Sequence, residues 1–372
     1  MTKKKLLIAS DSFLPRWDGV SRFLAEVVPR LSRDYEITLA VPDFKPRGKV
    51  LIKNVNIVRI PVYNFMIGDY FPPKFKRRTM KKLVKQADIV FTQTIGPIGT
   101  LAMIYAKRAK KPLFSYIHSI EWELVPRSVD KFKNTLTMAA KSIARYLYNK
   151  SSMIFVPSDE IKQVLDENRI KTEKRIVSLG VNSREFSPPA SKDAAKERIG
   201  IEKDSIVIGY IGRMGREKDL KTLYKAFRKL KETSSNIKLL VVGSGINVEK
   251  MFGDMTDILH VESTNKAYQY YQALDIFVLP SLTETSSLST MEAMSCGLPV
   301  IATDVGCVSD YIVNGKNGYI FPKKDDEALA KKLSKLIENR ELRTAIGMMA
   351  RKTITSRFSW EKTVDEFEKV FG

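Results

Sequence analysis

The chain is poor in the residues that staple small secreted domains or hold metals. Its 372 residues include two cysteines, Cys296 and Cys307, and two histidines, His118 and His260. Two cysteines build no disulfide framework and fit a reducing compartment. These four residues show no metal-ligand spacing, and no Asp-x-Asp pair offers a divalent-cation ligand set, so no metal is expected. No apolar run approaches the roughly 18 residues of a membrane span. The opening MTKKKLLIAS has an apolar stretch of only Leu6 to Ser10. That is too short for a signal-peptide core and reads as a buried first strand. No zinc-finger spacing or RNP signature supports a nucleic-acid module, so nucleic acid is not an expected partner. The expectation is a soluble protein, or one that rests on a membrane without crossing it.

What is present is ordinary globular composition, 44% hydrophobic and 28% charged, at a length suited to two domains. The net charge of +21 is unevenly spread. Residues 1–186 carry 35 Lys and Arg against 17 Asp and Glu, and residues 187–372 carry 28 against 25. A polarised basic half seeks polyanions such as lipid headgroups or phosphorylated substrates. Its densest part contains Lys74, Lys76, Arg77, Arg78, Lys81, Lys82 and Lys85, with Phe75, Met80, Leu83 and Val84 on one side if helical. An aromatic loop, Tyr63 to Pro73, precedes it. Two readings stand side by side: an interfacial membrane helix, or a solvated face with one core stripe. The charge asymmetry favours the membrane.

Short apolar runs alternate with helical patterns twice over. The first series is Lys5–Ala9, Glu36–Val41, Val55–Ile60, Ile89–Phe91, Pro112–Ile117 and Met153–Val156. After Asn182–Ser191, a linker by composition, a second series follows. It comprises Ile206–Ile211, Lys238–Val242, Ile258–Val261, Ile276–Leu279, Pro299–Ala302 and Gly318–Phe321. Helical segments close the chain, from about Asp325 to Arg351 and from Trp360 to Phe371. Buried strands spaced by crossover helices predict two doubly wound α/β domains, with ligands beyond the carboxyl ends of the strands and a cleft between facing domains.

The stretch Leu279–Ala302 carries the most chemistry. A strand ends at Pro280, a loop follows, and a helix is predicted to begin near Ser287. The backbone N–H groups around Ser286–Ser289 would then form an anion site, with Glu284 before the helix and Glu292 one to two turns inside it. Two glutamates at that spacing otherwise make a cap and a surface charge. A second stretch, Ile211–Leu220, follows the first strand of the second series. Gly212 and Gly215 permit a tight turn, and Arg213 and Lys218 project above the strand end, where a leaving diphosphate needs cations. The plain alternative is a basic surface loop. A third loop, Val242–Ile246, has two glycines and lacks the third of a dinucleotide fingerprint. His118 follows a strand end and is read as a site residue in preference to a structural one. Glu121 and Glu123 either position a hydroxyl or pair with neighbouring cations.

Together these stretches resemble glycosyltransferase family 4, the retaining GT-B enzymes, over nearly the whole chain. The family's Glu-x7-Glu pattern matches Glu284 and Glu292, and its Gly-Arg-x4-Lys pattern matches Gly212, Arg213 and Lys218. The resemblance implies that Arg213 and Lys218 hold the donor diphosphate, Glu292 the ribose and Glu284 the transferred sugar. It places amides of Ser286, Ser287 and Leu288 on phosphate or sugar, and the base near Val261 and Glu262. Where the family usually has glycine, Glu262-Ser263 stands, which leaves the base open. Asp18, Gly19 and Val20 resemble the family's first loop and would bring backbone to the donor. His118 stands where the family often has a histidine on the donor sugar. With Arg213, Lys218 and Glu284 it makes up the expected catalytic set.

The Phe13-to-Ser21 form of that first loop resembles members that glycosylate lipids. The resemblance therefore implies metal-free, retaining transfer of a hexose from a UDP-sugar or GDP-sugar to a lipid or glycolipid, with no cofactor beyond the donor. It implies an acceptor domain over 1–182, a donor domain over 183–355 and a helix over 356–372 returning to the first. Attachment to the inner face of a membrane from the cytoplasm goes with it. Alternatives are a nucleotide-sugar 2-epimerase and a transferase to a soluble or polysaccharide acceptor.

Overall fold

The computed structural model describes residues 2–16, 18–45, 52–66, 71–123, 133–245, 252 and 256–372. Trp17 of the first loop, residues 67–70 of the aromatic loop and Ile246 of the third glycine loop lie outside the described residues. The chain divides into two units, Met1–Ser178 with Trp360–Gly372, and Leu179–Ser359.

Unit 1 is built on a seven-stranded parallel sheet. Its strands are β1 (Lys4–Ala9), β2 (Tyr35–Pro42), β3 (Val55–Ile60), β4 (Ile89–Thr92), β5 (Leu113–Tyr116), β6 (Met153–Val156) and β7 (Lys174–Ile176). They run in the order β3-β2-β1-β4-β5-β6-β7, so the winding reverses between β1 and β4. The central strands are almost wholly buried because helices cover both faces. The crossovers are α1 (Gly19–Leu31), α2 (Arg77–Gln86), α3 (Pro97–Arg108), α4 (Lys133–Tyr148) and α5 (Asp159–Glu167). Strand β7 is absent from the apolar pattern because Lys174-Arg175-Ile176 is a half-exposed edge with too few apolar residues to register.

Unit 2 has a six-stranded parallel sheet: β8 (Ile206–Ile211), β9 (Ile237–Val242), β10 (Ile258–Val261), β11 (Ile276–Leu279), β12 (Val300–Thr303) and β13 (Tyr319–Phe321). The order is β10-β9-β8-β11-β12-β13, with the same kind of reversal between β8 and β11. Its helices are α6 (Lys192–Glu197), α7 (Leu220–Lys231), α8 (Ala267–Ala273), α9 (Leu288–Ser295), α10 (Val308–Tyr311), α11 (Asp326–Glu338) and α12 (Arg340–Arg357). The helical stretch expected from Asp325 to Arg351 is thus two helices. Asn339 ends the first in an extended conformation, and its side chain caps Leu342 N–H at the start of the second.

Asn182–Ser191, expected as a linker, packs as part of unit 2. Phe186 is buried, its ring lies 5.7 Å from that of Tyr271, and its carbonyl accepts from Ser295 Oγ at 2.6 Å. The final helix, α13 (Trp360–Phe371), belongs to unit 1. Phe367 lies 4.9 Å from Phe155 and 5.2 Å from Phe91, and Phe371 lies 5.0 Å from Phe114. Burying these aromatics against the sheet is what holds the chain's last turns in place.

Candidate functional site

In unit 2 the predicted motif residues converge at the carboxyl ends of β8 and β11, where the strand order reverses and α/β sheets bind their ligands. Beyond β8 the chain turns through Gly212 and a short 3-10 turn, Arg216–Lys218, and enters α7. Lys218 Nζ reaches across to Glu284 at 2.6 Å, and Ser281 Oγ donates to the same carboxylate at 2.7 Å. The backbone joins the two loops as well, Leu282 N–H to Glu217 carbonyl at 2.7 Å. Arg213 is more exposed and pairs with Glu217. Two of the predicted residues therefore meet directly, and a third stands beside them.

Glycine makes this convergence possible at two places. At Gly243 (φ +143°) a side chain would meet the Gly212 carbonyl at 2.0 Å, and at Gly306 (φ +55°) the Glu284 and Thr285 carbonyls at 2.5 Å. Both keep neighbouring loops within backbone contact. The weak glycine loop after β9 thus has a packing role that its spacing alone does not reveal.

The helix after β11 begins at Leu288, one residue from the predicted start. Its cap, Ser287, sits at φ +47°, ψ +72°, a left-handed conformation costly for a residue with a side chain, and makes no side-chain capping bond. The first N–H groups of α9 have no intrahelical acceptor, and the helix dipole adds positive potential there. Ser286 is held from behind by Tyr311, whose hydroxyl donates to its carbonyl at 3.1 Å. Glu292, one turn into α9, is 3% exposed and accepts from Tyr271 Oη at 3.0 Å. Nothing in the sequence around Tyr271, in the helix before β11, signals this contact with Glu292.

Burial raises the hydroxyls of Tyr210 and Tyr311 well above the usual phenol range. Tyr210 Oη instead donates to the Arg213 carbonyl at 2.7 Å and shapes the turn. Cys296 and Cys307 form no disulfide and are buried, and burial pushes the Cys296 thiol up to about 12, which removes it as a nucleophile. Val261 ends β10, the edge strand beyond β9, and Glu262 follows it, two strands over from β8, whose loop carries Lys218. His260, beside them, has Nε2 3.0 Å from the Gly243 carbonyl.

In unit 1, Asp18 caps α1 by accepting from Ser21 N–H at 2.9 Å, and it also accepts from Ser12 Oγ and from Arg16 Nε at 2.9 Å. Gly19 and Val20 open the helix behind it, and a side chain at Gly19 would meet nothing within 4 Å. His118 packs against both Phe23 and Tyr116, each ring centroid 4.7 Å away, with Nε2 2.9 Å from Gln93 Oε1. Burial lowers the imidazole pKa to about 3 against the opposing charge of Asp18, so the ring is neutral at working pH. Gln93 is 2% exposed, and its amide nitrogen is the one buried side-chain atom without a hydrogen-bond partner among the described residues. Glu121 accepts from Tyr148 Oη, and burial raises its carboxyl to about 7. Lys141 Nζ lies 5.9 Å from the Trp122 ring centroid.

The basic segment differs from its interfacial reading in one respect. Met80 and Val84 of α2 are buried in unit 1's own core, while Arg77, Arg78, Lys81, Lys82 and Lys85 are exposed. The helix presents charge outward and keeps its apolar stripe inward, because ten residues supply only one such stripe and the sheet takes it. Lys74 and Lys76 precede the helix, exposed beside Phe75. No helix among the described residues is long and apolar enough to cross a membrane.

Two family models match the chain, one described as glycosyl transferases group 1 over residues 191–353 and one as glycosyltransferase family 4 over residues 17–185. The chain is 27% identical to a capsular polysaccharide biosynthesis glycosyltransferase of Staphylococcus aureus, over 76% of this chain and 75% of that protein. It is 23% identical to an alpha-monoglucosyldiacylglycerol synthase of Acholeplasma laidlawii, over 96% and 93%. An Anabaena protein solved in complex with UDP and glucose superposes with a TM-score of 0.81 at 16% identity, over 100% of this chain and 99% of that one. That likeness shows the fold, two Rossmann-like domains of the GT-B kind.

Proposed function

The chain belongs to the group 1 and family 4 glycosyltransferases, and from that premise we propose that it moves a hexose from a nucleotide-diphosphate sugar to a hydroxyl of a membrane lipid or glycolipid, with retention and without a metal. The observation that carries the donor half is the Lys218–Glu284 pair beside the uncapped start of α9. Lys218 and Arg213 offer the positive charge that a leaving diphosphate requires, and the α9 amides offer donors for its oxygens. In this reading Glu284, held by Lys218 and Ser281, accepts from sugar hydroxyls, and Glu292, held by Tyr271, accepts from ribose.

In the proposed step the bond from the anomeric carbon to the phosphate oxygen breaks. The acceptor oxygen then bonds to that carbon on the same face. The acceptor's proton passes to the departing phosphate oxygen, so no carboxylate need act as nucleophile. A neutral His118 takes part as a hydrogen-bonding group and not as an acid.

The lipid half rests on three supports: the exposed cations of α2, the exposed Phe65, Met66, Phe71 and Phe75 around them, and the diacylglycerol-type relative. The polysaccharide relative keeps a second acceptor class in view. Thermal shift with UDP, GDP and their sugars, with and without chelator, tests the donor half. Transfer assays with diacylglycerol and with soluble oligosaccharides test the acceptor half. Stabilisation that vanishes with chelator would overturn the metal-free reading, and transfer to oligosaccharides alone would overturn the lipid reading. Epimerised donor without transfer would make the chain a 2-epimerase.

A further inference from the structure

Eleven large apolar side chains stand exposed among the described residues, and eight of them fall in two segments of unit 1. The first segment, Phe65 to Phe75, adjoins α2. The second is α4. Leu136, Met138, Ile143 and Tyr146 are 40%, 69%, 53% and 62% exposed along it. Leu136 and Ile143 are seven residues apart, as are Ala139 and Tyr146, so they share a face at two-turn spacing. The rest of that face is Thr135, Ala139 and Ser142, all exposed and uncharged. The opposite side, Ala144, Leu147 and Tyr148, is buried in unit 1's core. Arg145, seven residues after Met138, borders this face on the Met138 side, and from there round to Leu136 the helix carries no charge.

What borders the face points to its occupant. From Asn134 to Lys150 the sequence contains no Asp or Glu. Lys141, Arg145 and Lys150 flank the apolar residues, and Lys150 Nζ lies 3.7 Å from the Tyr146 ring centroid. Cations around an apolar stripe with a tyrosine at its edge match an anionic lipid surface, with headgroups outside and acyl chains beneath. Helix α2 supplies charge with its stripe turned inward, and α4 supplies the missing apolar contact.

We propose that the outer face of α4 inserts into the headgroup boundary of an anionic phospholipid bilayer. This deepens the lipid-acceptor reading and rests on it only for its purpose, because binding to vesicles needs no substrate. The test is sedimentation with phosphatidylcholine vesicles, with and without phosphatidylglycerol, of the wild-type chain and of a Met138→Ser, Ile143→Ser double variant. Binding that requires phosphatidylglycerol and falls about tenfold or more in the double variant is the expected result, the order for removing two partly buried apolar side chains. Tyr146→Trp should show a blue-shifted emission on these vesicles, quenched by lipids brominated on the acyl chains.

Unchanged binding by the double variant, or an unshifted Tyr146→Trp emission, would overturn the proposal. So would a wild-type dimer in sedimentation velocity that the double variant loses, since the face would then be covered by a second copy. Donor hydrolysis in detergent-free buffer should be the same for both chains. A fall there as large as the fall in binding would overturn the membrane role and assign α4 to the reaction site. Vesicle insertion together with transfer only to soluble acceptors would leave this inference standing and the lipid-acceptor reading fallen.

Discussion

Each unit places a helix after the strand that neighbours its first strand, and each brings the loop from that first strand beside the helix's approach. In unit 1 the helix is α3, and the loop supplies Asp11, whose carboxylate accepts from Ile98 N–H at 2.7 Å, Gly99 N–H at 3.1 Å and Thr94 Oγ1 at 2.6 Å. In unit 2 the helix is α9, its Ser287 side chain caps no backbone N–H, and the loop supplies Arg213 and Lys218. The same winding therefore carries opposite chemistry. Unit 1 fills its helix start with a carboxyl group of its own, whose pKa burial raises, and unit 2 leaves its start without a side-chain cap and with cations nearby. The switch point of a doubly wound sheet is an available position, and the residue class in one loop decides whether a ligand or the protein occupies it.

The strongest way to break this comparison is Lys218→Ala. Loss of about 10²–10³-fold in kcat/KM is expected, on the scale of removing one donor from a developing negative charge, with the thermal midpoint little changed. Near-normal turnover would reduce the unit 2 arrangement to ordinary loop packing. Asp11→Ala tests the other side. Uncapping two buried N–H groups should cost unit 1 roughly 2–3 kcal/mol in urea unfolding, and an unchanged midpoint would mean that the plug is not structural.

Glu121 sharpens the contrast between carboxylates, since Glu284 meets a lysine and Glu121 a tyrosine hydroxyl. Its folded pKa, about 7, is above the ordinary value of 4.5, so the folded chain holds an extra proton between those pH values. The stability this contributes is complete below about pH 4.5 and is lost as pH rises through 7. Glu121→Gln should therefore flatten the decline in thermal midpoint from pH 5 to pH 8 by an amount equivalent to roughly 1–3 kcal/mol. An identical pH profile in the variant would reject the assignment. The smallest effect is expected from the basic unit's surface. Neutralising Lys81 and Lys82 should weaken binding to anionic vesicles by about 1 kcal/mol each, measured by sedimentation at low salt.

Several elements were legible because they depend on neighbours in sequence. A strand end, a serine-rich loop and an apolar run locate the start of α9 to within one residue of Leu288. The parallel strands of both sheets announced themselves as short apolar runs, and only the half-exposed β7 escaped. Asn182–Ser191 misled because its prolines and serines describe a loop, and composition does not register that Phe186 is buried under α8 and α9. Of the four residues expected on one side, Met80 and Val84 are buried and Leu83 is half-buried, while Phe75 precedes α2 and is exposed, because periodicity gives neither the helix start nor the direction of its stripe. For α4 the same blindness hid a face that turns outward.

The sequence by itself determined the α/β class, the two strand series, the Gly-Arg-x4-Lys and Glu-x7-Glu residues and the basic first half, since each is a matter of local order and composition. The tertiary structure decided which of those residues meet. Lys218 and Glu284 are 66 positions apart and touch, Tyr271 supports Glu292 from another helix, and Gln93 and His118 meet only because β4 and β5 are neighbours. A hydrogen bond needs its partners within about 3 Å, and only the folding of the sheet brings residues so far apart in sequence to that distance.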